Sequence, residues 1–225
     1  YEVTDSAAGL LNALRRRGKL GDAVDLIHLI ATNRIPPHTG LDTPMARVLT
    51  MLRREGKTNE MEMMVRQLEQ WNVPALTMMC LEAGWIYENG SGLPNDPAEA
   101  LKWYAKAAEH GMAEAQLQMG RLHATGTGTS RDEVEAAKWY RKAADQGHVA
   151  AQLNLAKRYQ NGRGVPLDQI EAVQWYRRAA EQTNAVAQYH LGLIYIAGRG
   201  VAKDESEALK WFLSAAEAGH QAAQF

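Results

Sequence analysis

The residues of this sequence most able to do chemistry are seven histidines and a single cysteine. No two histidines stand four residues apart, the spacing that places two imidazole ligands on one face of a helix. Cys80 has no partner for an internal disulfide or for a zinc site built from several cysteines. A nucleophilic thiol also needs a positioned base, and no motif supplies one here. The sequence therefore predicts no metal site and no catalytic residue.

Glycine-rich loops are the second chemical candidate, because Gly-x-Gly pairs begin at Gly90, Gly126, Gly162 and Gly198. A dinucleotide-binding loop needs a third glycine and follows a strand, and a P-loop ends in Gly-Lys-Ser or Gly-Lys-Thr. None of the four pairs is completed in either way. A Gly-x-Ser-x-Gly nucleophile elbow is also absent. We therefore interpret the pairs as turns and expect no cofactor. Asn89-Gly90-Ser91 fits a glycosylation acceptor but overlays one of these turns.

Charge and hydrophobicity exclude two classes of partner. The 225 residues carry 25 Lys and Arg against 26 Asp and Glu, a net charge of −1. Neutralising phosphates needs a cationic surplus, so we expect no nucleic acid partner. No apolar run approaches the roughly 18–20 residues that span a bilayer, so we expect no membrane insertion.

A repeat of 36 residues organises most of the chain. It is marked by tryptophans and aspartates at Trp103, Trp139, Trp175 and Trp211, and at Asp96, Asp132, Asp168 and Asp204. Ala-Gln pairs follow the same step, starting at Ala115, Ala151, Ala187 and Ala223. We predict four units, at roughly 75–111, 112–147, 148–183 and 184–219, and a truncated fifth unit over 220–225.

Each unit is predicted to contain two helices, which in the third unit run over about 149–160 and 168–181. The aspartate begins the second helix as an N-cap, and a glutamate three residues later is expected to reach back in a capping box. Gly111, Gly147 and Gly219 are expected to end the second helix in the left-handed conformation. Thr183 replaces glycine in the third unit and predicts a looser or differently shaped turn. His148 and His220 follow such an end, where a structural role is expected.

Small residues predict how the helices pack. Gly84, Gly120 and Gly192 lie in the middle of first helices, where glycine costs about 1 kcal/mol against alanine. This cost would be explained if the backbone of a neighbouring helix comes close to each glycine, and we expect such a close approach. Alanine pairs in the second helices would offer the matching small surface, and a single unit could not bury these faces alone.

The residues of the fourth unit resemble a known family. They are Ala187, Leu191, Gly192, Tyr195, Gly198, Gly200, Val201, Asp204, Ala208, Trp211, Ala215, Ala216 and Gly219. This pattern looks like the SEL-like repeat, a relative of the tetratricopeptide repeat, over about two thirds of the chain. The departures are Cys80, His123, Ala156, Thr183 and Phe212. The resemblance implies an all-α, right-handed α-solenoid of stacked helix-turn-helix repeats whose first helices line a concave face. It also implies protein–protein scaffold or adaptor work, mostly in bacteria, without catalysis.

Residues 1–74 lack the repeat and read as two divergent hairpins of about 38 residues, weakly similar to tetratricopeptide and pentatricopeptide units. Two irregular copies with a net charge of only +1 would read RNA poorly, so we favour a continuation of the solenoid. Methionines cluster from 45 to 79, and we interpret them as the irregular core of a junction rather than as a binding surface.

The candidate partner-binding groove consists of the first-helix positions whose polarity varies between units. They are Glu82, Trp85 and Asn89; Gln118, Arg121 and Thr125; Asn154, Lys157 and Asn161; and His190, Leu193 and Ala197. In a stacked solenoid these positions would form one strip along the concave side. Trp85 stands where the other units have Arg121, Lys157 and Leu193, so the fold does not require it. We expect it to anchor a partner protein or peptide.

Two classes of function remain open. The first is a binding scaffold, such as an adaptor, a secretion or exopolysaccharide scaffold, or an immunity protein. The second is a regulatory or targeting module of a larger enzyme whose catalytic region lies outside 1–225. The chain starts at Tyr1 and stops inside a unit at Phe225, so we interpret it as a soluble piece of a longer protein. Its compartment stays open between bacterial cytoplasm and periplasm. An uncapped apolar end around Phe225 is expected to promote self-association.

Overall fold

The computed structural model describes residues 75–90 and 95–223, whose regular structure is helical throughout. The chain divides into two compact units, of which the first ends at Trp103 and the second begins at Tyr104. Each of these is larger than one 36-residue repeat, and from here on the first unit and the second unit mean these two parts of the chain. The helices are α1 (Ala75–Asn89), α2 (Pro97–Glu109), α3 (Ala113–Thr125), α4 (Glu133–Asp145), α5 (Val149–Asn161), α6 (Gln169–Glu181), α7 (Ala185–Ala197) and α8 (Glu205–Glu217), followed by a 3-10 turn, Gln221–Ala223. In the second unit, α3–α4, α5–α6 and α7–α8 form hairpins that pack on one another in sequence order. This confirms the all-α fold of stacked hairpins.

The second helices begin at the predicted aspartates. The carboxylate of Asp168 accepts the amides of Ile170 and Glu171 at 2.9 and 3.0 Å, and Asp132 caps α4 in the same way. Asp96 and Asp204 also accept first-turn amides. Each of these caps stabilises its helix by about 1 kcal/mol. The predicted N-caps are therefore confirmed.

The other half of the predicted capping box is wrong. The amide of Asp168 donates to the carbonyl of Tyr159 at 2.9 Å, and Asp132 and Asp204 donate likewise to His123 and Tyr195. This bond ties the start of each second helix to the end of the first helix in the same hairpin. The glutamates instead pair with lysines three residues further on, in the pairs Glu99–Lys102, Glu135–Lys138 and Glu207–Lys210. A lysine one turn away offers the carboxylate a charged donor, whereas the cap amide is already occupied.

The turns after the second helices follow one hydrogen-bond pattern. Gly147 has a φ of +88°, and its amide donates to Ala144 at 2.9 Å while His148 donates to Ala143 at 3.1 Å. Thr183 keeps this pattern at a φ of +60°, although the bond from Asn184 to Ala179 lengthens to 3.4 Å. The turn at Thr183 therefore keeps the shape of the glycine turns but is looser at this one bond, which agrees with the first of the two predicted alternatives. The threonine is held in a conformation that side chains disfavour.

The mid-helix glycines make room for aromatic rings. A Cβ built on Gly120 would lie 2.7 Å from the ring of Tyr140, and one on Gly192 would lie 2.4 Å from the ring of Phe212. Each ring comes from the second helix of the same hairpin. The expectation of a close helix backbone is therefore wrong at these two positions, because a side chain occupies the space. In the α5–α6 hairpin the equivalent positions are Ala156 and Tyr176, both fully buried.

Stacking of the hairpins buries a core of alanines interleaved with large side chains. Its members are Ala136, Tyr140, Ala143, Ala144, Ala151, Leu155, Ala156, Val173, Trp175, Tyr176, Ala179, Ala180, Ala187, Leu191 and Ile194. The second glycine of two Gly-x-Gly pairs, Gly164 and Gly200, allows neighbouring hairpins to touch. A Cβ on Gly164 would lie 1.8 Å from the carbonyl oxygen of Glu133, so no other residue fits there without a backbone shift.

Polar bonds also join successive hairpins. Gln152 donates to the carbonyl of Ala144 at 3.3 Å, and Gln116 and Gln188 make the equivalent bonds to Ala108 and Ala180. Arg177 donates to the hydroxyl of Tyr195 at 2.7 Å. These bonds fix the register between neighbouring units, because each joins one repeat position to another in the next hairpin.

Several predictions fall outside the described residues. These are the two hairpins over 1–74, the methionine side chains at positions 45 to 64 and at 78 and 79, Ser91, Gly92 and Phe225. Among the helices that the structure describes, none combines the length and the apolar character needed to cross a bilayer.

Candidate functional site

The outward side of α3, α5 and α7 is the candidate site of the second unit, and we call it the first-helix face. It contains the predicted positions of these helices and one further position a turn earlier on each. Its members are Glu114, Gln118, Arg121 and Thr125; Ala150, Asn154, Lys157 and Asn161; and Val186, His190, Leu193 and Ala197. All of them are exposed or half-buried, whereas the neighbouring repeat positions Ala115, Ala151 and Ala187 are fully buried. The residues therefore sort into a packing side and an accessible side.

On α3 the face is a polar network. Gln118 donates to Glu114 at 2.7 Å and accepts from Arg121 at 2.8 Å. Glu114 also pairs with His148 of the next hairpin at 3.0 Å. The Nδ1 of His148 accepts the amide of Ala151 at 3.4 Å as the N-cap of α5, so its Nε2 carries the proton and donates to Glu114. His148 thus has the structural role that its position predicts.

On α5 the face combines two amides with one cation. Asn154 and Asn161 donate to the carbonyls of Ala150 and Lys157, at 2.9 and 2.8 Å. These bonds hold each side chain in place and leave its oxygen as an acceptor. Lys157 is exposed and has no carboxylate partner among the residues that the structure describes. It is therefore available to a negatively charged group.

On α7 the face becomes apolar. Leu193 is 42% exposed and Val186 is 37% exposed. His190 stacks on Tyr176 with the ring centroids 5.0 Å apart. Burial lowers the pKa of His190, and electrostatic interactions with Lys157 and His220 lower it further, so the imidazole is neutral at neutral pH.

Sequence reasoning missed the first turn of the face. Glu114, Ala150 and Val186 occupy one repeat position, four residues before Gln118, Asn154 and His190. The signal was present, because residues four apart share a helix side and this position also varies in polarity. Extending the stripe by one turn would have found it.

The predicted residues of the first unit lie on α1. Trp85 is 42% exposed, Asn89 is exposed and Glu82 is half-buried. Asn89 donates to the carbonyl of Trp85 at 2.8 Å. Ala83 and Cys80 of the same helix are fully buried. The large aromatic side chain therefore lies at the surface while smaller residues pack inside.

A second charged cluster lies between two hairpins of the second unit. Arg158 is buried where the other hairpins have Leu122 and Ile194, and its guanidinium donates to Glu133 at 2.5 Å. It also lies 4.9 Å from the centre of the Tyr140 ring. Hydrogen bonds from Arg131 and then from Arg158 lower the pKa of the Glu133 carboxyl. The cluster joins α5 to the start of α4 and has an evident structural role.

Two further chemical candidates, His220 and Cys80, are engaged in packing. His220 stacks on Tyr189 with the centroids 4.3 Å apart, and Cys80 is fully buried. Within 75–90 and 95–223, no three His, Cys, Asp or Glu side chains are arranged to hold a metal ion.

Comparisons of the sequence and of the structure with known proteins agree on one family. Residues 74–112, 113–148, 149–184 and 185–220 each match the Sel1 repeat. A Sel1 repeat protein from Oxalobacter formigenes is 37% identical, with a TM-score of 0.70 over 80% of this chain and 72% of that one. A protective antigen of uropathogenic Escherichia coli with an SLR fold is 28% identical, with a TM-score of 0.64 over 97% of this chain. This chain spans 50% of the length of that antigen. No curated protein sequence gives a match.

Proposed function

The chain belongs to the Sel1 repeat family, and on that premise we propose that it is a non-catalytic scaffold. In this proposal a partner protein or peptide binds along the first-helix face of the second unit. The setting is a bacterial cell, where the scaffold acts as an adaptor, in a secretion or exopolysaccharide assembly, or as an immunity protein. Repeat proteins of this kind offer extended surfaces for such contacts.

One observation supports this proposal most strongly. Within the second unit, the buried first-helix positions keep the same kind of residue from hairpin to hairpin, with the exception of Arg158, while the accessible positions change chemistry. Arg121, Lys157 and Leu193 occupy one such position, and Glu114, Ala150 and Val186 another. The packing positions maintain the fold, so the varying positions are free to determine which partner binds.

The test is affinity capture from a lysate of the source organism with three forms of the protein. The first is the unchanged chain, the second is Lys157→Glu/Leu193→Ser, and the third is Lys142→Glu as the control. Lys142 lies on α4 over the Trp139 ring, outside the first-helix face. Partners retained by the first and third forms but lost from the second support the proposal. Identical lists from all three forms would show that binding occurs elsewhere.

The same proposal assigns Trp85 as a binding anchor in the first unit. A half-exposed tryptophan offers a large apolar contact, which is typical of residues that dominate an interface. We expect Trp85→Ala to preserve the melting temperature and to weaken partner binding by about 2 kcal/mol or more. A large fall in the melting temperature would instead identify Trp85 as a folding residue.

We also infer that the outer side of α8 takes part in self-association. Leu209 is 58% exposed, whereas Val173 and Ala137, at the same repeat position, are 5% and 3% exposed beneath the next hairpin. Within the described residues, no later hairpin covers the equivalent surface of α8. In sedimentation velocity, Leu209→Glu should reduce any concentration-dependent association, while Leu167→Glu, at a similarly exposed leucine elsewhere, should not. A monomer at every concentration contradicts this inference.

A further inference from the structure

We infer that the first-helix face of the second unit recognises an extended peptide segment in which an acidic residue is followed or preceded, about three residues away, by an aliphatic or aromatic one. This inference rests on the proposed function and specifies the chemistry of its partner. It depends on charge, on amide geometry and on the spacing between two equivalent positions of neighbouring hairpins.

The first-helix face carries its charges unevenly. Lys157 stands in the middle without a carboxylate partner among the described residues, and Arg121 occupies the same position one hairpin earlier. The acidic residue of the face, Glu114, lies two helical turns from Arg121 and is occupied by His148 and Gln118. The other carboxylates of the second unit belong to the second helices. They lie at the starts, where Asp132, Asp168 and Asp204 cap, or at the ends, as Asp145, Glu181 and Glu217 do. A carboxylate on the partner therefore complements the middle of the face.

The apolar part of the face lies one hairpin further on. Leu193 occupies the repeat position of Lys157, and Val186 lies two turns before it on α7. His190 is neutral between them because burial and the charge of Lys157 lower its pKa. An aliphatic or aromatic side chain placed here would bury apolar surface without leaving a charge unpaired.

Spacing and hydrogen bonding favour an extended partner. The helix α6 packs against both α5 and α7, so equivalent residues of α5 and α7 belong to hairpins stacked side by side. Such hairpins are separated by roughly one helix diameter, about 10–12 Å, which an extended chain covers in about three residues. An extended chain also needs partners for its backbone amides. The side-chain oxygens of Asn154 and Asn161 flank Lys157 on the same helix face and remain available as acceptors.

The test is a selection against the full chain from a displayed library of random 12-residue peptides. The library is not biased toward any residue type. We expect the enriched sequences to combine Asp or Glu with Leu, Ile, Phe or Met two to four positions away. Against Lys157→Glu the acidic preference should disappear, and against Leu193→Ser the apolar preference should disappear. Against the control Lys142→Glu both preferences should remain. Circular dichroism confirms that each variant is folded.

Binding of one enriched peptide, labelled with a fluorophore, is then measured by anisotropy. We expect Lys157→Glu to raise Kd at least about tenfold, and higher salt to weaken binding to the unchanged chain. Enriched peptides without acidic residues that still depend on Leu193 would overturn this inference and leave the proposed function standing. No enrichment, or enrichment that is the same for every variant, would overturn this inference. The proposed function is overturned as well only if the lysate capture gives identical lists for all three forms.

Discussion

The side-chain amide of Gln182 donates to the side-chain oxygen of Gln152 at 2.9 Å, which ties the end of α6 to the first helix of the same hairpin. Gln146 and Gln116 make the same bond at 2.7 Å one hairpin earlier. In the last described hairpin the position of Gln182 is held by Ala218, and the oxygen of Gln188 is buried without a hydrogen-bond partner. A repeated polar contact is therefore interrupted at one identifiable residue.

The first prediction is that Ala218→Gln stabilises the protein by about 1 kcal/mol, because it supplies a donor to the unsatisfied oxygen of Gln188. Urea unfolding followed by circular dichroism measures the change. Glu217→Gln adds the same amide at the preceding exposed residue and should have little effect. Equal shifts from both variants would show that the gain does not come from this contact.

The local and periodic parts of the fold could be predicted from the sequence. The caps at Asp132 and Asp168 and the left-handed turns at Gly147 and Gly219 depend on residues close together in the chain. The helices predicted for the third 36-residue repeat, 149–160 and 168–181, differ from α5 and α6 by one residue each. Such features repeat every 36 residues, so each copy supports the interpretation of the others.

The incorrect predictions concern positions where two groups compete for one contact. A sequence pattern does not show which of the two groups makes the contact. Gly120 reveals a need for space, but not that the ring of Tyr140 fills it. Glu135 can reach either the cap amide or Lys138, and the structure selects the lysine because a carbonyl already occupies the amide. At the candidate site, exposure confirms which side of α5 and α7 is accessible. Whether a partner binds there is still a prediction, since one chain carries no record of its partner.

The second prediction concerns Thr183, a residue other than glycine with φ in the left-handed region, at +60°. Thr183→Gly should stabilise the protein by roughly 1 kcal/mol, because a β-branched residue is strained in this conformation and glycine is not. The reciprocal change, Gly147→Thr, should destabilise it by a similar amount, since Gly147 has a φ of +88°. Thermal unfolding of both variants measures the effect. A destabilising Thr183→Gly would mean that the threonine makes a compensating contact.

The third prediction compares two mid-helix glycines. Gly120→Ala should destabilise the protein more than Gly192→Ala. Crowding the ring at position 120 should cost about 1–3 kcal/mol, from which the gain in helix propensity of alanine over glycine is subtracted. The ring of Tyr140 is almost fully buried and lies beneath the guanidinium of Arg158, whereas Phe212 is only half-buried and can move. Urea unfolding of the two variants measures the difference. Combining Gly120→Ala with Tyr140→Leu tests the cause, since the smaller side chain should recover part of the loss. A larger effect at Gly192 would contradict this explanation.

The fourth prediction is a pH dependence that originates at Glu133. Hydrogen bonds from Arg131 and Arg158 lower the pKa of this carboxyl in the folded protein below the ordinary value of 4.5. A lowered folded-state pKa means that the unfolded chain binds the proton more readily, so this contribution to stability is present above about pH 4.5 and disappears as the pH falls through the folded-state value.

Glu133→Gln removes the titrating group and should therefore flatten this part of the pH profile. At pH 7 the variant should unfold at a lower urea concentration than the unchanged chain, and the difference should shrink as the pH falls from about 5 to about 3. Glu135→Gln is the matched control, because it lies on the same helix but pairs with the exposed Lys138, a contact that contributes little. Since Arg158 would remain buried in the Glu133→Gln variant beside an amide that still accepts a hydrogen bond, the fold should persist and the comparison should report the charge. Parallel profiles for the unchanged chain and Glu133→Gln would show that the acid sensitivity of this protein originates at other carboxylates.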